Sequence, residues 1–302
     1  MHVDRVAVIG SATIDRIEGP GIDALKMGGV ATYAGLTFKR HGLSTTVVAN
    51  IATSDAALCE IFREQHVDLF TGRTGATTLF VNHVEGDSRW QEMPVAASPI
   101  TIESARVAME RVELVHFGPL HPADFDPDLL TFAVEHEKIV SLDVQGYVRR
   151  TDGGVVYSSV SKDLPQALEH ADIIKSSREE LQEILSAFAM DIQSLKAAYR
   201  LSEILVTDGR RGGYIVGDTD HVITYQARAF ERLVDTTGAG DVFFAAYLVS
   251  RLRDGLDMGA ACDHASFVAA QQISGEYISP ISLNLPVDYR MRYAVARPGG
   301  QA

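Results

Sequence analysis

One stretch of this chain has residue types suited to chemistry on an anion. Asp235-Thr236-Thr237-Gly238-Ala239-Gly240-Asp241 runs straight into the apolar segment Val242-Phe243-Phe244-Ala245-Ala246-Tyr247-Leu248-Val249. Small residues followed by helix formers predict a loop that opens a buried helix. The first N–H groups of a helix have no intrahelical acceptor, and the helix dipole adds positive charge there. Gly238 and Gly240 allow backbone to approach a bound anion closely. Asp241 would repel a phosphate, so its fitting role beside one is to accept a proton from the group that attacks it. An anion cradle with an adjacent base is the minimal equipment for phosphoryl transfer to an alcohol. The bland alternative for Asp241 is an acid that merely stabilises the helix start.

Composition narrows the field. The 302 residues suffice for one large α/β domain or two smaller ones. Forty acidic residues against 27 basic give a net charge of −13, which argues against nucleic acid as a main partner. The two cysteines, Cys59 and Cys262, stand far apart and outside any metal-ligand spacing. That pattern suits a reducing cytoplasm rather than a disulfide scaffold. No apolar run is long enough to cross a bilayer, so no membrane partner is expected.

The elements that must position the motif follow from periodicity. Short apolar runs at 6–9, 46–49, 114–117, 139–142, 173–174 and 204–206 read as buried parallel strands. Amphipathic stretches at 31–41, 56–65, 127–137, 178–187 and 191–199 read as helices between them. This alternation predicts an α/β fold, a doubly wound and mainly parallel sheet with ligands at the strands' carboxyl ends. Residues 77–92 read instead as a β-hairpin with a polar turn near Gly86-Asp87. With the Gly-Pro-Gly connection inside 12–27 it forms a small β lid, drawn from about 12–27 and 75–97, on a single domain spanning 1–302. An exposed lid strand would also suit pairing with a twin in a homodimer. The tail 297–302 reads as disordered. Gly10-Ser11-Ala12-Thr13-Ile14-Asp15 lacks the G-x-G-x-x-G spacing that a dinucleotide-dependent dehydrogenase would need.

Five ordered segments resemble the signatures of the ribokinase-like (PfkB) carbohydrate kinases: 8–15, Gly28-Gly29 with 30–34, 172–180, Val206-Thr207-Asp208-Gly209, and the loop ending at Asp241. The resemblance covers most of the chain and implies a ribokinase-like three-layer sandwich. It implies ATP as donor, Mg²⁺ as helper, and a small carbohydrate-like acceptor such as a sugar or a cyclitol like myo-inositol. It makes Asp241 the base, with Gly238, Ala239 and Gly240 forming an anion hole. Asp15, Gly28 and Gly29 would hold acceptor hydroxyls, with Thr13 and Tyr33 beside them. Ser177, Glu180, Thr207 and Gly209 would serve the nucleotide, Glu180 through the water shell of Mg²⁺. Asp235 with carbonyls near Gly275–Pro280 would hold a monovalent cation such as K⁺.

The chain departs from the family pattern at Thr13, Tyr33 and Ser177, where Asn is frequent. A Tyr offers a flat apolar face and one hydroxyl where Asn offers two donors and an acceptor. Tyr33 and Trp90 in the hairpin could sandwich a base, so a nucleoside kinase for adenosine, inosine or cytidine is the alternative. A non-catalytic nucleotide-binding regulator ranks below both, because base and anion loop are intact. Asp143 and Arg149 follow a strand end, where Arg149 suits phosphate or substrate and a loop salt bridge is the structural alternative. Phe80, Asn82, Arg89 and Trp90 are lid candidates for acceptor contact. His116 and His121 read as core or loop residues rather than metal ligands.

Overall fold

The computed structural model describes residues 2–85, 88–217, 222–230, 232–286, 289, 292 and 293. The polar turn at Gly86-Asp87, the side chain of Arg89 and the tail 297–302 lie outside the described residues.

The central sheet is built from β1 (Arg5–Gly10), β4 (Ser44–Val48), β5 (Asp68–Phe70), β8 (Leu114–Gly118), β9 (Ile139–Asp143), β12 (Ile173–Ser177) and β13 (Glu203–Thr207), extended by β14 (Gly213–Val216) and β15 (Val222–Tyr225). Their spatial order is β15-β14-β13-β12-β9-β8-β1-β4-β5. The seven strands from β13 to β5 pair in parallel, whereas β13–β14 and β14–β15 are antiparallel. Parallel strands need apolar residues on both faces, and β1 supplies them: Val6 and Val8 enter one core, Ala7 and Ile9 the other. Helices α1 (Val30–Arg40), α2 (Ala56–Glu64), α8 (Ala239–Leu252) and α9 (Met258–Ile273) cover the first face. Helices α3 (Ile102–Glu110), α4 (Asp128–Glu135), α5 (Leu164–Glu169), α6 (Arg178–Phe188) and α7 (Ile192–Tyr199) cover the second. The doubly wound expectation therefore holds, and each of the six anticipated strands is present.

A second sheet has, in spatial order, β10 (Arg149–Asp152), β11 (Val155–Ser158), β7 (Ser88–Val95), β6 (Leu79–Glu85), β2 (Thr13–Gly19) and β3 (Ile22–Gly28). Strands β2 and β3 form a hairpin whose turn needs Gly21 at φ 75°. Strand β6 runs parallel to β2 and antiparallel to β7. The hairpin of β10 and β11 joins β7 through the Val155–Glu92 pair. That last hairpin was not anticipated. It brings the chain back from the end of β9 and so ties the second sheet to the first. The other edge, β3, meets the chain near its end: Lys26 bridges to Asn284, and Leu285 N–H donates to Leu25 O. Among the described residues no helix is long and apolar enough to cross a membrane.

His116 on β8 is fully buried between the rings of Phe38 and Phe244. Its Nδ1 meets Ser141 Oγ at 3.0 Å, and its Nε2 has no partner among the described residues. Burial pushes the imidazole down from 6.5 to about 4, with Lys175 adding to the shift against the opposing pull of Asp143. The folded state thus disfavours a proton that the unfolded chain accepts, so stability falls as pH drops through 6.5 toward 4. By pH 5 this single group costs about 2 kcal/mol. Melting curves of the wild type and His116→Gln between neutral pH and pH 5 should differ in slope, the variant being flatter. Parallel curves would remove His116 as the cause.

Candidate active site

Helix α8 starts at Gly238, whose φ of 73° is left-handed. A β-carbon there would also lie 2.2 Å from the Tyr33 ring, so glycine is required twice over. Tyr33 is 1% exposed and comes from the first turn of α1, so the starts of α1 and α8 are packed together. The N–H groups of Gly240 and Asp241 have no acceptor among the described residues. Ala239 departs from the expected anion hole: its N–H donates to Thr236 O at 3.3 Å. The outward-facing donors are therefore those of the turn without Ala239.

Two cavities meet at this turn. The first, of ≈ 240 Å³, is lined by Thr13, Asp15, Gly29, Tyr33, Arg149 and Asp241, with Phe80, Gln91, Gln145 and Lys175 completing its wall. The second, of ≈ 290 Å³, has Thr207 and Gly209 at its mouth and an apolar wall that includes Phe230, Phe243 and Ile273. Thr236 and Gly240 belong to both. Of the residues assigned to the nucleotide, Thr207, Gly209 and Gly240 line the second cavity, Gly238 lines only the first, and Ser177 and Glu180 line neither.

On the first side, Asp15 is 7% exposed and accepts from Thr13 Oγ1 at 2.6 Å. Thr13 pairs with Gly28 across the β2–β3 hairpin, and a β-carbon at Gly28 would lie 2.0 Å from Asp15 Oδ2. Gly28 therefore makes room for the carboxylate rather than contacting the cavity. Gly29, at φ 88°, caps α1, accepting from Thr32 and Tyr33 N–H while Ala31 N–H donates to Ser11 O. Burial pushes Asp15 up, against the Thr13 hydrogen bond and the Lys26 charge. Tyr33 lines the cavity edge, and burial, then Asp15, Asp235 and Asp241, push its hydroxyl up.

Asp241 is pushed up to about 7, first by burial and then by Asp143 and Asp15, while Lys175 and Arg149 pull the other way. Lys175 is the group that sequence reasoning missed. It is 5% exposed, pairs with Asp143 at 2.6 Å, and its Nζ would lie 3.2 Å from a β-carbon at Gly240. Its signal was a lysine on a buried strand, which must be paired or functional. Asp143 is fully buried and also accepts from Gln145 N–H, so it is the salt-bridge alternative that holds for this residue. Arg149 makes no ion pair with a described residue, although Glu180, Asp143 and Asp241 all lie within its electrostatic reach. Burial lowers its affinity for the proton, and those carboxylates oppose that.

Ser177 and Glu180 have a nearer task than the nucleotide. Ser177 Oγ accepts from Glu180 N–H at 3.1 Å and Glu180 Oε2 accepts from Ser177 N–H at 2.7 Å, closing a reciprocal cap on α6. Glu180 still acts on Arg149 and Lys175 through charge. Asp235, the expected cation ligand, is likewise engaged: it pairs with Lys26 and accepts from Thr237 N–H at 2.9 Å. Trp90 stacks on His83 at 4.7 Å and lines a neighbouring cleft rather than facing Tyr33. Asn82 accepts from Gln91, and His121 pairs with Asp124. No cluster of His, Cys, Asp and Glu among the described residues could cage a metal.

A family model described as "pfkB family carbohydrate kinase" matches residues 37–281. A fructokinase from Salmonella thompson is 37% identical over 95 residues, which is 31% of this chain and 42% of that protein. Among solved structures, a pyrophosphate-dependent kinase in the ribokinase family, complexed with a pyrophosphate analog and myo-inositol, superposes with a TM-score of 0.78 at 21% identity, covering 89% of this chain and 94% of the other. The nucleoside kinase of Burkholderia thailandensis, in complex with inosine, gives 0.74 at 16% identity over 96% and 98% of the two chains. With the model match spanning most of its length and the two-cavity turn at its centre, this chain belongs to the pfkB family of carbohydrate kinases.

Proposed function

We propose that this protein transfers the terminal phosphoryl group of ATP to a hydroxyl of a small polyol, a sugar or a cyclitol such as myo-inositol. One observation carries the reading: a raised, cavity-facing carboxylate, Asp241, stands beside unpaired backbone N–H groups where two separate cavities join. The acceptor lies in the first cavity, oriented by Asp15. Its hydroxyl proton passes to Asp241 as the oxygen attacks the γ-phosphorus and the bond to the bridging oxygen breaks, releasing ADP. The Gly240 and Asp241 N–H groups and Arg149 hold the charge that the transition state spreads over the phosphoryl oxygens, while Lys175 neutralises Asp143 beside them. A partly buried guanidinium with no ion pair among the described residues is costly alone, and an incoming phosphate would complete its partners. The second sheet, over the acceptor side, acts as the lid that keeps water from the donor.

The residues fit a hydrated Mg²⁺ held through phosphate and water, since Glu180 spends one oxygen on its helix cap and no protein cage exists among the described residues. When bound, the ion neutralises donor phosphate charge. The apolar wall of the second cavity supports a nucleotide donor, because a base fills it and bare pyrophosphate would not. The polar lining of the first cavity supports a polyol. The nucleoside reading draws on the neighbouring cleft, where the exposed Trp90 face offers a stacking surface.

An ADP-release screen over sugars, cyclitols and nucleosides, repeated with pyrophosphate as donor, should give turnover with a polyol and ATP. Turnover confined to nucleosides, and reduced by Trp90→Ala, would select the other acceptor class.

Asp241→Asn should retain ATP binding by calorimetry and lose about 10²–10⁴-fold in kcat. A variant within about tenfold of wild type contradicts the base assignment.

Because the base works deprotonated, kcat/KM for the acceptor should fall as pH drops below about 7. Lys175→Met removes a charge that lowers Asp241 and frees Asp143 to repel it, so this limb should move to higher pH. A limb that stays in place would separate Lys175 from Asp241.

A further inference from the structure

Lys26 belongs to β3 of the second sheet, yet its ammonium reaches the loop that leads into α8. The residue is 4% exposed and forms an ion pair with Asp235 Oδ2. The other carboxylate oxygen, Oδ1, accepts from Thr237 N–H, so both oxygens of Asp235 are taken by protein donors. Burial opposes the charge on Asp235, but Lys26 and Thr237 outweigh it and hold the carboxyl below the ordinary range. The loop's backbone is fixed as well: Val234 and Asp235 N–H both donate to Ile273 O, at 2.9 and 3.1 Å. On the other flank Lys26 bridges to Asn284 and Leu285 N–H donates to Leu25 O at 3.2 Å. A strand of the second sheet, the loop before the anion turn and the segment after α9 are thus joined around one positive charge.

This is the place where the family resemblance sets a monovalent cation, on Asp235 and carbonyls near Gly275–Pro280. The residues present do not fit one. A cation binding Asp235 must displace an ammonium that is already seated and already buried, and the two like charges repel. We infer that Lys26 is a tethered replacement for that ion: its ammonium neutralises Asp235 and sets the turn ending in Asp241, so this chain works without K⁺. Tethering makes the charge independent of salt composition, and the Asp235–Thr237 hydrogen bond transmits it to the glycine turn that follows directly. The inference deepens the kinase reading above, since it concerns the same turn.

Rates and melting temperatures are to be measured in KCl, NH₄Cl and choline chloride at equal ionic strength for the wild type and for Lys26→Met, whose side chain ends one atom short of Nζ. The wild type should show rates within about twofold and an unchanged melting temperature across the salts. Lys26→Met should fall about 10²-fold in choline through misplacement of the turn. K⁺ or NH₄⁺ should then restore at least about tenfold of that loss and raise the variant's melting temperature. Three results overturn the inference: a wild type activated or stabilised by K⁺, a variant as active in choline as the wild type, or a variant whose loss no cation repairs. If Lys26→Met does not fold, the wild-type salt series alone decides. If no acceptor is phosphorylated at all, the kinase reading fails separately, and the melting series still reports whether a cation enters.

Discussion

The site is governed by the way a few buried charges divide their partners. Five carboxylates and three cations converge on the start of α8: Asp15, Asp143, Glu180, Asp235 and Asp241 against Lys26, Arg149 and Lys175. Two cations are committed, Lys26 to Asp235 and Lys175 to Asp143. Glu180 is held by the Ser177 N–H. What remains is Asp15, Asp241 and Arg149. These three line the first cavity, and both carboxylates are pushed up because burial is not offset by an ion-paired cation of their own. The acids with private partners form scaffold, and those without are free to exchange a proton or hold a hydroxyl.

That division depends on how closely the backbone elements approach. Gly238 lies against the ring of Tyr33, and Gly28 lies against the carboxylate of Asp15. Any side chain at either position would push the acceptor wall away from the anion turn. Tyr33, read from sequence as an acceptor contact, does its work as the packing face that seats α8 on α1. The residue also lines the first cavity together with Asp15 and Asp241.

The local parts of this arrangement were legible in sequence. The glycine turn, the strand ends and the six buried strands each follow from a short-range pattern, and the strands lie within two residues of their expected bounds except β12, read as 173–174, which continues three residues further to Ser177. Ser177-Arg178-Glu179-Glu180 also carried a readable S-x-x-E cap, which the functional reading of the same residues hid. The missing parts are non-local or weakly patterned. Strands β10 and β11 present exposed, mixed side chains and join the second sheet by one pair, so no alternation marks them. The Lys26–Asp235 pair spans 209 positions and Lys175–Asp143 spans 32, distances over which periodicity says nothing about contact.

Those two pairs bear on how a chain with a net charge of −13 would bind the polyanionic donor proposed for it. Distant surface carboxylates are screened beyond roughly 10 Å at ordinary ionic strength, so they contribute little in the cleft. Within it the balance is local: Lys26 and Lys175 cancel the nearest fixed acids, which in the proposed reaction leaves the backbone N–H groups and Arg149 for the phosphoryl group. Had Asp235 or Asp143 stayed unpaired, the same turn would repel its ligand. The two lysines come from different sheets, so the anion site forms only when the second sheet is seated on the first. Lys26 is the residue at which the second sheet and the turn before α8 are joined.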